Sequence, residues 1–341
     1  MSETALINAL EQGVAHGAAP AAVLLLWSHH EPVLIAAAGE ATEDTVFDLA
    51  SLSKPLAGAP LAWDLAQEGV LPWEGTLYEL WGQAVPEDKD DITVGQLLCH
   101  AAGFPAYQPY FSAMDQQPPA LRRALLRSML MNEPLAHAPG SKALYSDLGY
   151  LALGLLLEHG FTTGLEEPLA ALQARLGVEG PRYLPLDKPL PWPMERIAPC
   201  GPLPNRPEVH GQVEDENCFS LGGVGAHAGL FGTARQVAGL TSALLSEMPV
   251  LAEPDAATPG SGRTPGFDTP TGPDSLAGPN APQGTVGHLG FTGCSVWWHP
   301  VTDRGVVLLT NRVALGRDNH KINPLRRELH QLAWRILGEK A

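Results

Sequence analysis

The chain has 341 residues, of which 45% are hydrophobic, and its 21 basic side chains against 37 acidic ones give a net charge of −16. That length and apolar content are enough for one large domain or two interleaved lobes and exclude a wholly disordered chain. The charge argues against nucleic acid or an anionic membrane surface as a partner, and says nothing of the local field in a cleft.

Residues 3–16 carry Leu6, Ile7, Leu10 and Val14 at helical spacing and stop near Gly17. The N-terminus has no basic region, and the first apolar run, residues 21–27, is too short to cross a membrane. A cytoplasmic protein is therefore expected, or a periplasmic or secreted one if a leader has been removed. Residues 21–27 and 32–38, split by Ser-His-His-Glu with His29 and His30 in the turn, read as a β-hairpin. A helix follows from Ser51 to about Gly69, with Leu56, Ala59, Leu61 and Leu65 on one side and Pro55 in its first turn.

From 72 to 232 strand signals fade and short helices take over, at 92–100 with Thr93 as its cap, at 118–131, and at 150–159. His100 is expected to order the end of the first of these. Residues 181–213 are proline-rich and read as irregular. Thr233-Ala-Arg-Gln236 is a capping box for a helix to about Glu247. Residues 252–284 read as loop, with a short strand at 266–268. A second hairpin spans 294–299 and 305–309, with one ring of Trp297-Trp298 in the core, and a helix from Asn323 to about Leu337 ends the chain, with Arg326 and Arg327 as surface charges.

The four cysteines, Cys99, Cys200, Cys218 and Cys294, are widely scattered and form no C-x-x-C pair, which points to reduced, mostly buried thiols rather than a zinc ribbon. This order of elements predicts an α+β fold. Residues 1–70 and 231–341 form an antiparallel β-sheet domain flanked by helices, residues 71–230 form an inserted, mostly helical lobe, and a cleft runs between them.

Ser51 and Lys54 lie three residues apart at a helix start, which sets hydroxyl and amine on one face. A lysine activates such a hydroxyl only if burial or neighbouring charge lowers its pKa, and free N–H groups at the helix start suit an oxyanion. Alone, the pair reads more readily as a helix N-terminus with a serine cap and a solvated lysine. Two other segments stand out, Tyr145-Ser-Asp147 before an apolar helix and His288-Leu-Gly290 before the second hairpin. Singly, they read as a packed aromatic and an exposed loop histidine.

In this order and spacing the three elements resemble the signature of the serine β-lactamases and penicillin-binding DD-peptidases, in the class C β-lactamase-like branch that includes esterases and D-amino-acid peptidases. Residues 47–54, 93–103, 222–233 and 287–311 are similar to that family too, so the resemblance runs from about 5 to 337. It implies an acyl-enzyme on Ser51, with Lys54 and Tyr145 sharing its proton and the backbone N–H groups of Ser51 and of Phe291, on the strand of the third element, as the oxyanion hole. It also implies no metal and no organic cofactor.

A tyrosine base needs adjacent cations, Lys54 and also His288, to lower its pKa. Asp147 stands where the penicillin-recognising members keep Asn; it accepts hydrogen bonds only, and would either hold Lys54 charged or meet a cationic substrate group. His288 replaces a lysine with a group titrating near neutrality. Both departures favour a small ester or amide over a β-lactam or a D-alanyl carboxylate. The near alternative is a β-lactamase or D-alanyl-D-alanine carboxypeptidase, and the rival from a different class is a non-catalytic, penicillin-recognising binding or sensor protein. The acidic run Glu214 to Asn217 reads as a solvated loop rather than a metal site, with Asn217 and His227 as secondary substrate contacts.

Overall fold

The computed structural model describes residues 3–272 and 274–339. Helix α1 (Glu3–Ala15) leads into the hairpin β1 (Ala21–Ser28) and β2 (Glu31–Gly39), whose two turn residues, His29 and His30, both adopt positive φ. Strand β3 (Phe47–Asp48) then runs into a 3₁₀ turn (Ala50–Leu52), a π turn (Lys54–Gly58) and helix α2 (Ala59–Gln67), so the helix expected from Ser51 forms in three consecutive pieces.

Helices α3 (Leu77–Trp81), α4 (Val94–Leu98), α5 (Phe111–Met114), α6 (Pro119–Asn132), α7 (Asp147–Phe161) and α8 (Glu166–Leu176) follow. Thr93 and Gln96 form a reciprocal capping box for α4, and Ser146 caps α7. Next come β4 (Arg182–Tyr183), α9 (Glu216–Ser220), β5 (Leu230–Gly232) and α10 (Ala234–Glu247), the last starting at its Thr233–Gln236 capping box. Strands β6 (Val286–Leu289), β7 (Ser295–His299) and β8 (Arg304–Thr310) and helix α11 (Ile322–Glu339) complete the chain.

Strands from both ends of the chain make one antiparallel five-stranded sheet, ordered β2-β1-β8-β7-β6, while β3-β5-β4 form a small second sheet. The large sheet is covered on both faces. Leu24, Leu26, Trp297 and Leu308 pack under α1 and α11, whereas Val23, Leu25, Trp298 and Val307 join the larger core with α2, α7 and α10. This explains why β1 reads as an unbroken apolar run rather than an alternating one. It also corrects the expectation for Trp297 and Trp298: both rings are buried, one on each face.

The 266–268 segment is not a separate strand. Asp268 and Gly287 exchange backbone hydrogen bonds at 2.6 and 2.9 Å, which fastens the 252–284 loop to edge strand β6. No helix among the described residues is long and apolar enough to cross a membrane.

Candidate active site

Ser51 sits on the turn after β3, and its position is set by a buried carboxyl. Asp48 accepts from the Ala50 N–H at 2.8 Å with one oxygen and from the Glu214 N–H at 2.7 Å with the other. These contacts hold Ala50 at φ +47°, a left-handed conformation that costs a residue with a Cβ about 1 kcal/mol. Burial raises Asp48 to about 7, against the two amide donors. The Ser53 hydroxyl donates to Ala50 O and accepts from the Leu230 N–H, so β5 clamps the same turn.

One turn on, Lys54 is fully buried, with Nζ 3.0 Å from Ser51 Oγ, 2.7 Å from Tyr145 Oη, 2.6 Å from Asp147 Oδ1 and 3.2 Å from His227 O. Tyr145 Oη is 2.8 Å from Ser51 Oγ and 3.3 Å from Asp147 Oδ1. Burial alone would lower Lys54, but Asp147 and Tyr145 outweigh it and its pKa is raised. Burial and Asp147 push Tyr145 up to about 12 despite Lys54. The lowered tyrosine pKa expected from adjacent cations is therefore absent.

The segment carrying Tyr145 and Asp147 is anchored by His100 and the loop before it. Ser146 N–H donates to His100 Nδ1 at 3.1 Å, the Ser146 hydroxyl to Pro105 O at 2.6 Å, and Asp147 N–H to Ala106 O at 2.9 Å. His100 therefore does more than end its helix: its ring also lies against that of Tyr145, with centroids 4.6 Å apart.

His288 is 2% exposed, and its Nδ1 is 2.8 Å from Leu289 O, which fixes the proton there. Burial, reinforced by Lys54 and Arg263, holds it well below 6.5, so the ring is neutral rather than titrating near neutrality. Phe291 lies in the turn just beyond β6, not on the strand, and its exposed ring stacks against the Arg312 and Arg317 guanidinium groups. Ser51, Tyr145, Asp147, His288, Gly290 and Phe291 all line one cleft of about 610 Å³.

Several residues around this cleft differ from expectation. Arg326 is not a surface charge. It is 5% exposed and donates to Gly290 O, Cys294 O and Gly293 O at 2.7, 2.6 and 3.2 Å, bracing the turn that carries Phe291. The 214–217 run is not a solvated loop. Glu214 and Glu216 bind Arg317, and Asp215 caps α9 and meets His227 Nε2 at 3.1 Å. Burial would raise Asp215, but His227 and the Cys218 N–H bring it to about 2. Asn217 is buried, tying the Phe111 N–H and Gln108 O together, and so is a brace rather than a substrate contact; His227 does line the cleft.

Arg263, paired with Asp268, lines the cleft with its guanidinium 5.5 Å from the centre of the Tyr145 ring. Nothing in the Pro/Gly-rich segment around it marks it out in the sequence. All four cysteines are buried and unpaired, and among the described residues no cluster of His, Cys, Asp or Glu is arranged to hold a metal ion.

The Beta-lactamase family model matches residues 6–331. A Salmonella agona (strain SL483) protein described as "Putative D-alanyl-D-alanine carboxypeptidase" is 27% identical over 322 residues, covering 83% of this chain and 73% of that protein. Its Salmonella typhi counterpart, with the same description, is 28% identical over 318 residues with the same coverage. Among solved structures, "EstCE1, a hydrolase with promiscuous acyltransferase activity" aligns with TM-score 0.71 at 19% identity over 95% of this chain and 98% of that one. An octameric penicillin-binding protein homologue from Pyrococcus abyssi gives TM-score 0.71 at 18% identity, over 99% and 78% of the two chains. At these identities the structural likeness establishes the fold.

Proposed function

We propose, on the premise that the chain belongs to the beta-lactamase family of serine hydrolases, that it hydrolyses small esters or amides through an acyl-enzyme on Ser51. The observation that carries this reading is the position of Ser51 Oγ, within hydrogen-bond reach of both Lys54 Nζ and Tyr145 Oη at the wall of the cleft. The hydroxyl attacks a carbonyl carbon, its proton passes into the Lys54–Tyr145 cluster, and the backbone N–H groups of Ser51 and Phe291 receive the oxyanion. Each such donor is worth about 3 kcal/mol of barrier.

The charges around the cleft favour a neutral acyl group. His288 supplies no positive charge, Arg263 and Arg317 each have a carboxylate partner, and the Arg312 and Arg326 guanidinium groups that also line the cleft are committed to backbone carbonyls. A second reading, D-alanyl carboxypeptidase activity, draws support from Arg263, whose guanidinium sits beside Tyr145 and would hold a substrate carboxylate if Asp268 released it.

Intact-protein mass spectrometry of wild type and S51A with a fluorophosphonate, an aryl ester, β-lactams and a D-alanyl-D-alanine peptide tests both. One adduct on wild type and none on S51A is expected, with many turnovers of the ester and few of the peptide. Faster peptide turnover would favour the second reading. Labelling that stops at one equivalent with every substrate would favour a receptor, and no adduct with any reagent would remove the enzymatic reading.

A further inference from the structure

Asp147 Oδ1 lies 2.6 Å from Lys54 Nζ and 3.3 Å from Tyr145 Oη, and Tyr145 Oη in turn lies 2.8 Å from Ser51 Oγ. A continuous chain of oxygens therefore joins the candidate nucleophile to a carboxylate. We infer that Asp147 is the terminal proton acceptor of acylation, working through the Tyr145 phenol, while Lys54 stays an ammonium throughout. The inference rests on the acyl-enzyme reading above and assigns the base within it.

The geometry supports each part. Asp147 and His227 O only accept, so Lys54 commits two of its protons to them and directs the third at the Ser51 and Tyr145 oxygens. Lys54 is fully buried, and Asp147 sits against it with 20% of its side chain exposed. Removing the ammonium proton would leave that carboxylate without its counter-charge. The raised pKa of Lys54 agrees with this arrangement. Tyr145 at about 12 is too weak an acid to wait as a phenolate, but a phenol that gives its proton to Asp147 as it takes one from Ser51 never carries full charge.

The step balances. As the bond from Ser51 Oγ to the carbonyl carbon forms, the Oγ–H proton moves to Tyr145 Oη, the phenolic proton moves to Asp147 Oδ1, and the carbonyl π pair goes to oxygen. On collapse the bond to the leaving group breaks with its electron pair, Tyr145 protonates that group, and Asp147 returns its proton to Tyr145. Water then attacks the acyl-enzyme by the same route.

Facing Asp147 in the cleft are the Lys54 and Tyr145 groups, Tyr107, the Asp215–His227 pair, Arg263 and His288. An acid limb in the rate has to be separated from the titration of these neighbours, and the Asp147 variants do that.

The experiment is the burst of aryl alcohol released by wild type, D147N and D147E between pH 4 and 10, with S51A as control. For wild type the burst rate is expected to rise along an acid limb and then stay flat to alkaline pH. D147N should lose roughly 10²–10⁴-fold at pH 7, and the acid limb with it; D147E should keep the limb at a lower plateau. D147N within threefold of wild type with an unchanged limb, or faster than wild type, overturns the inference.

A proton inventory in mixed H₂O and D₂O, run on wild type alone, is a second test that does not depend on how the variants fold. A bowed plot shows two protons in flight and supports the relay; a linear one overturns it. A burst from S51A would refute the acyl-enzyme reading itself. A normal wild-type burst with D147N unimpaired refutes only the relay.

Discussion

Arg326 is a buried cation with no carboxylate partner among the described residues, and replacing it tests whether the turn beyond β6 depends on it. Its three bonds to backbone carbonyls are charge-assisted hydrogen bonds, worth about 1.5–3 kcal/mol each; a fourth, to the Asn323 side chain, is long at 3.5 Å. Opposing them is the cost of burying the charge, which pulls Arg326 from 12.5 to about 10. At about 1.4 kcal/mol per pH unit that costs roughly 3 kcal/mol. After R326M, Gly290 O and Cys294 O still accept from the Gly293 and Gly290 N–H groups, so chiefly Gly293 O loses its partner.

The balance predicts that R326M is destabilised by about 2–4 kcal/mol, and R326K by less, since lysine keeps the charge but not the fork. Equilibrium urea unfolding of the three proteins at one pH, compared at constant m-value, measures this. Ser51 acylation should fall by on the order of 10²–10³ in R326M, because Phe291 N–H moves with the turn. Stability within about 0.5 kcal/mol of wild type, the ordinary range for surface substitutions, together with unchanged acylation, would refute the claim that the guanidinium braces the site.

Two further outcomes follow from buried groups. D48N can satisfy only one of the Ala50 and Glu214 amides as an acceptor, so it should lose about 1–3 kcal/mol and label more slowly at Ser51 with a fluorophosphonate. Because Asp48 is raised to about 7, folded protein holds that proton longer than unfolded protein, and wild type loses stability as pH climbs from 3.8 towards 7; D48N should lack that slope in thermal melts. His330 is fully buried between Ser295 Oγ and Leu276 O and held at about 4 by burial. The unfolded chain therefore takes up its proton first, and stability present above pH 6.5 is lost as pH falls towards 4. A pH series of melting temperatures should show this fall in wild type and a shallower one in H330Q.

What the sequence disclosed and what it hid have the same physical origin. Period and capping are local, so α1, α10, α11 and both hairpins were readable to within a few residues, as was the meeting of Ser51 with Lys54 one turn later. Burial is not local. Arg326 and Arg327 are adjacent on a polar helix, yet one points into the sheet edge and the other pairs with Asp274 at the surface. The charge state of His288 depended on being enclosed by Lys54 and Arg263 from distant segments. Glu214 and Glu216 read as solvated because Arg317 lies a hundred residues away in the chain. Arg263 sits in a loop whose placement depends on the Asp268–Gly287 bridge, which leaves no pattern in composition.

The pairing of the two chain ends in the large sheet has a consequence for synthesis. Strand β1 has its hairpin partner β2 at once, but its other neighbour is β8, and Ala21 N–H bonds the Asn311 side chain across 290 residues. Until β8 and α11 have emerged, the nascent hairpin carries Leu24 and Leu26 on one face and Val23 and Leu25 on the other without their packing partners. Closing so long a loop makes folding slow, and the waiting hairpin is open to sticky encounters and to chaperones on the ribosome. A premature stop anywhere before β8 would leave the sheet without the strand that joins its two halves.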